Sequence, residues 1–242
     1  MPAHRNRPAD PLTAESPLEK FDAPWSRRPR NRIVLALALV AVIVGVFVVI
    51  NRHSGQSESG SATAKVGTGS NKTIADYFAA NGITQTPVRA GEPGTPTITI
   101  PVPPGWSDAG PEIRPGAYAE FLYDDATNPD DVPFVEVVLS RLDGAADPPQ
   151  LLEYAPGELR NLPDYRPVSE PAAGNLSGFE AVAFGGLYTK NGEERLIAQK
   201  TVVIPSPNGL FVLQMNADAP KADAPALQLA TVVIDEKAKI TP

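Results

Sequence analysis

Residues Ile33–Ile50 form an unbroken run of 18 residues with no polar side chain, fourteen of them Ile, Val, Leu or Phe. As a helix the run would be about 27 Å long, close to the hydrocarbon thickness of a bilayer. A core helix of a globular domain normally keeps one polar face, which this run lacks. The sequence therefore predicts one transmembrane helix over 33–50, and that span divides everything else. Residues 1–32 read as a disordered tail rich in Pro and Arg, 51–72 as a flexible Ser/Gly-rich linker, and 73–242 as one folded domain.

Orientation follows from charge. Arg27, Arg28, Arg30 and Arg32 crowd the N-terminal edge of the run, whereas Arg52 stands alone after it. Positive charge stays on the cytoplasmic side, so the tail is expected in the cytoplasm and the C-terminal domain outside the plasma membrane. A cleaved signal peptide is the competing reading, and Ala62-Thr63-Ala64 offers an A-x-A pattern. It lies too far behind a run already longer than a signal-peptide core.

Residues 1–32 carry seven Lys/Arg against four Asp/Glu, and residues 51–242 carry fourteen against twenty-four. An acidic domain argues against nucleic acid as its partner, because phosphate binding needs a cationic surface. The chain has no cysteine, which removes disulfides, thiol nucleophiles, Cys-ligated zinc and lipid attachment through a cysteine.

Within the domain the local signals are mixed. Thr73 with Asp76 predicts a capped helix start, Ile74, Tyr77 and Phe78 share one face, and Gly82 supplies a stop. Strands are expected over Thr97–Val102, Ala117–Tyr123 and Phe134–Leu142. A helix opened by Pro148, carrying Leu152, Ala155, Leu159 and Leu162 on one face, should be interrupted at Pro156-Gly157. Asn191-Gly192 is a two-residue hairpin signal between strands Phe179–Thr189 and Glu194–Ile204. Pro207-Asn208-Gly209 then turns the chain into Leu210–Asn216, making a meander, and Ala224–Asp235 closes the domain as a helix. Strands in blocks with few helices indicate α+β with a mainly antiparallel sheet.

Catalytic chemistry is hard to place in this domain. Both histidines, His4 and His53, precede it, so there is no imidazole for a Ser-His-Asp site or for catalytic zinc. Gly-rich phosphate loops and dinucleotide fingerprints are absent, and no cofactor is expected. Asp124, Asp125, Asn128, Asp130 and Asp131 offer oxygens for calcium but lack the glycine of an EF-hand turn, so a solvated acidic loop is the better reading. Glu153 and Glu158 offer a carboxylate pair of the kind glycosidases use, against which stands the abundance of acids in the domain. Trp106, Tyr118, Phe121, Tyr123, Phe184, Tyr188 and Phe211 are enough to line an apolar pocket or to fill a core. Among them Trp106, Phe121, Tyr123, Phe184 and Tyr188 are the candidate ligand-binding residues.

Several phrases carry a resemblance. They are Pro101-Val102-Pro103-Pro104-Gly105-Trp106, the run Glu153–Pro163, Leu176-Ser177-Gly178-Phe179, Ile197–Pro205, Leu213–Asp218 and Val233-Ile234-Asp235-Glu236. In this order, across Thr73–Pro242, they resemble the LpqN/LpqT family from the cell envelopes of mycolic-acid bacteria. The resemblance implies a Mog1/PsbP-like α/β/α sandwich around an antiparallel sheet. It also implies roles around mycolate-lipid export and glycolipid binding, with no catalytic residues to carry over. Family members are usually lipoproteins; here no lipobox cysteine exists, and the predicted helix takes the place of the lipid.

The expected function is that of a non-enzymatic envelope accessory protein binding a membrane transporter or a mycolate-type lipidic component. A carboxylate-dependent hydrolase of envelope glycan or lipid and a structural or antigenic surface protein are the alternatives. The oligomeric state is left open by the sequence.

Overall fold

The computed structural model describes residues 71–110 and 113–242. The predicted tail, the predicted membrane helix and residues 51–70 of the predicted linker lie outside the described residues. Among the described residues no helix is long and apolar enough to cross a membrane.

The domain begins with helix α1 (Ile74–Asn81). Its capping box is complete: Asp76 N–H donates to Thr73 Oγ1 at 3.1 Å, and Thr73 N–H donates to the Asp76 carboxylate at 2.9 Å. Gly82, at φ 62°, takes the left-handed stop. The expected strands follow as β4 (Ala119–Tyr123) and β5 (Phe134–Asp143), then β8 (Phe179–Lys190), β9 (Glu193–Ser206) and β10 (Gly209–Pro220). Asn191 and Gly192 both have positive φ, 54° and 82°, as the two-residue turn requires. The closing helix α4 spans Ala224–Lys237 and buries Leu227, Ala230 and Ile234.

Several short strands extend this frame. They are β1 (Thr84–Val88), β2 (Thr97–Thr99), β3 (Trp106–Asp108), β6 (Arg166–Pro167), β7 (Ala172–Leu176) and β11 (Lys239–Thr241). Strands run in the order β3-β4-β5-β10-β9-β8-β6, with β1 also on β5 and β7 also on β8, and every pairing is antiparallel. Strand β2 is shorter than the predicted Thr97–Val102. It pairs only with the three-residue β11, in a separate two-stranded sheet, and the chain leaves extended pairing before Pro101.

The helical segment after Pro148 is interrupted as expected, into α2 (Pro148–Tyr154) and α3 (Gly157–Arg160). Its buried face differs from the prediction at two positions: Leu162 is only half-buried, and Leu151 takes the place of Leu152. Leu151, Ala155 and Leu159, spaced four apart, are buried, while Leu152 is only half-buried.

Two cores lie on the two faces of the main sheet. One packs Val137, Leu139, Val202, Leu213, Met215 and their neighbours under α4. The other packs Val182, Ile197, Val203 and Val212 under α1, α2 and α3. The fold is thus α+β, a mainly antiparallel sheet with helices on both sides.

Candidate functional site

An open groove of about 360 Å³ lies between α4 and the sheet. Its floor is explained by strand register. Phe121, Val135, Ala217, Ala198 and Gly185 pair successively across β4, β5, β10, β9 and β8, so one row across the sheet changes from bulky to small side chains. Where Ala217, Ala198 and Gly185 meet, too little side chain remains to fill the space beneath the helix. Gly185 cannot be enlarged, since a Cβ there would stand 2.8 Å from the Ile197 carbonyl oxygen. The adjacent row runs Met215, Lys200, Ala183.

Helix α4 roofs the groove with Leu227, Gln228, Thr231 and Ile234, and the segment between β6 and β7 adds Val168 and Ser169 as a side wall. Its rim is unusually apolar for a surface: Val168 and Val232 are 61 % and 55 % exposed. The one ion pair recorded within the groove joins Lys200 Nζ to the Asp235 carboxylate. Burial holds the Lys200 amine below its usual range.

The opposite face carries a polar row. Glu120, Glu136, Asn216 and Gln199 pair in sequence across β4, β5, β10 and β9. Gln199 Nε2 donates to Asn216 Oδ1 at 2.7 Å, while Gln199 Oε1 and Thr201 Oγ1 are buried without a protein partner. Burial raises the Glu136 carboxyl, with Arg114 pulling it back. Glu158 on α3 is crowded by surrounding protein although its residue remains half-buried. Burial pushes its carboxyl up to about 7, with the Gln199 amide opposing the rise and the Asp76 charge adding to it.

The sign of the resulting pH dependence is fixed. An unfolded Glu releases its proton near 4.5, whereas Glu158 in the fold holds it to about 7, so folding takes up a proton between those values. Stability is therefore expected to fall as pH rises through that window. Glu158→Gln should flatten the curve, leaving the smaller contribution of Glu136, as read by urea midpoints from pH 4 to pH 8.5.

The five aromatic candidates do not form one wall. Trp106, Phe121 and Tyr123 belong to the core on the α4 side, with Trp106 and Tyr123 ring centroids 5.4 Å apart. Phe121 stands at the filled end of the groove row. Phe184 borders the groove but packs in the opposite core, and Tyr188 lies wholly in that second core, donating to Asp218 Oδ2 at 2.6 Å. Burial and the Asp218 charge push the Tyr188 phenol well up. In the acidic loop Asp131 pairs with Arg195 and Asp124 Oδ1 accepts from Ser107 Oγ at 2.5 Å, while Asp125 and Asp130 are exposed. Glu153 is exposed on α2.

The groove residues Ala183, Gly185, Ala198, Ala217 and Lys200 were not among the sequence candidates. Their signal was the alternation of small residues in three strands whose register the two turns set.

The chain is similar to known proteins over this whole domain. A family profile described as "Probable lipoprotein LpqN" matches residues 70–241. Lipoprotein LpqN of Mycobacterium tuberculosis is 47 % identical over 174 residues, which covers 72 % of this chain and 76 % of that protein. LpqT of Mycobacterium leprae is 28 % identical over 133 residues, covering 55 % of this chain and 58 % of the relative. A crystal structure of LpqN, described as involved in cell envelope biogenesis of Mycobacterium tuberculosis, superposes with a TM-score of 0.69 at 46 % identity, covering 72 % of this chain and all of that one. With its register, its two-sided helical cover and these matches in agreement, the chain belongs to the Lpp-LpqN family.

Proposed function

We propose that this protein is a non-enzymatic accessory factor of the cell envelope that holds the apolar part of a lipidic envelope component in the groove beneath α4. The observation that carries the reading is the small-residue floor at Ala217, Ala198 and Gly185, which leaves an apolar space open to solvent with an apolar rim. Pockets that take small molecules begin at about 300 Å³, so the groove is large enough for one hydrocarbon chain. Membership in a family whose LpqN is involved in envelope biogenesis supports the same reading. So does the absence of histidine from the folded domain. The helix predicted over 33–50, inserted in the plasma membrane, would hold the domain at its outer face, within reach of such lipids.

Filling the groove tests the proposal. Ala198→Trp should leave the fold intact, because the new ring enters open space, and should abolish co-purification of lipid with the domain in native mass spectrometry. Lipid retained by that variant at the wild-type level would overturn the assignment. Binding to an envelope transporter instead predicts crosslinks to a membrane protein that survive the same substitution.

A further inference from the structure

The small-residue row explains an apolar chain but not the charge beside it. Lys200 lies on the groove floor between Met215 and Ala183, in a position where an apolar residue would complete the lining. Its side chain is only 16 % exposed, and the carboxylate recorded against it, Asp235 on α4, is 53 % exposed. A lysine whose side chain is mostly covered is thus balanced by a largely solvated anion. Such a pair is weakly held from one side: Asp235 can turn to water at little cost, whereas the Lys200 side chain is held mostly covered at the groove.

We propose that Lys200 is a head-group anchor, making the groove selective for single-chain amphiphiles with an anionic head, and that Asp235 is the placeholder which that head displaces. The inference rests on the groove being the lipid site. A chain entering the groove excludes water from the Lys200 ammonium and makes an unpaired charge there costly, so the head group must supply a negative oxygen. A carboxylate or a phosphate monoester does so; a quaternary ammonium does not. Chain number is limited by space, since about 360 Å³ takes on the order of a dozen groups at roughly 30 Å³ each, one chain of moderate length.

The test uses ten-carbon ligands of equal chain length on the folded domain, by titration calorimetry: decanoate, decyl phosphate, decyltrimethylammonium and 1-decanol, with inorganic phosphate alone as the head-only arm. Wild type should bind decanoate and decyl phosphate about tenfold or more tightly than decyltrimethylammonium, and inorganic phosphate should not bind measurably. Lys200→Gln should remove that preference while leaving the thermal midpoint near wild type. Asp235→Asn should strengthen both anionic ligands. Equal binding of all four amphiphiles, or an anion preference that survives Lys200→Gln, overturns the anchor while leaving the groove reading intact. Inorganic phosphate binding as tightly as decyl phosphate would reduce the site to a simple anion site and overturn the amphiphile claim. No binding of any amphiphile, 1-decanol included, would remove the groove reading itself.

Discussion

Arg195→Ala is expected to lower the stability of the domain by about 3–5 kcal/mol, the largest single-residue effect in the structure. Arg195 is 2 % exposed, and its Nε donates to Asp218 Oδ1 at 2.8 Å while its terminal nitrogens reach Asp218 and Asp131. Burial alone would pull the guanidinium down, and the Asp218 and Asp131 carboxylates together more than restore it. Truncation leaves Asp218 buried with only the Tyr188 hydroxyl against it, and it also releases the loop that Asp131 holds. At roughly 2–4 °C per kcal/mol for a domain of this size, the thermal midpoint should fall by about 10 °C. Replacing both partners, Arg195→Met with Asp218→Leu, should recover much of the loss, because no unpaired charge then remains inside. A single-variant loss below about 1 kcal/mol in urea denaturation would mean the network contributes little.

Gly157→Ala comes next, at about 3 kcal/mol, the upper part of the range for overpacked sites. In sequence Pro156-Gly157 reads as a helix breaker, and the helix does break there. The structure gives the glycine a different reason to be glycine. Its φ is not in the left-handed region, but a Cβ would stand 1.9 Å from the Lys72 carbonyl oxygen and 2.7 Å from its carbon. Those are backbone atoms just ahead of the Thr73 cap, so they cannot swing aside as a side chain would. Accommodating the methyl means moving the start of α1 off α3, loosening the packing of Ile74 and Phe78 over Leu159. Amide hydrogen exchange should show α1 losing protection first; an unchanged exchange pattern would show that the contact yields easily.

The elements legible in the sequence are those whose information is local. Thr73 with Asp76, Gly82 and Asn191-Gly192 each need only their neighbours to specify a backbone. Two tight turns even fix the register of three strands, since pairing Lys190 with Glu193 carries Gly185 onto Ala198, and pairing Ser206 with Gly209 carries Ala198 onto Ala217. The second turn is two residues, Pro207-Asn208, rather than the three read from the sequence, so the step from Ala198 to Ala217 rests on a turn length the sequence left open.

What was not readable is non-local. Strand β5 meets β10 only after two helices and four strands intervene, so no turn tells which of its faces aligns with which face of β10. That unknown parity is why Phe121 and Tyr123 fall opposite Phe184 and Tyr188: one residue of offset exchanges the two faces of a strand. Strands β1, β6 and β7 escaped for another reason. They are short, edge-lying and mostly exposed, and β1 and β6 contain a proline, so neither apolar alternation nor composition marks them.

Asn71 N–H and its side-chain amide both donate to Asn161 Oδ1, at 3.0 and 3.1 Å, and Asn161 returns a bond to the Asn71 carbonyl at 2.9 Å. Asn161 caps α3, on the side of the sheet away from α4. Asn71 is therefore tied to the face of the sheet away from α4. A pull on residue 71 is borne by the α1–α3 side, and the groove under α4 lies on the other face, away from that load.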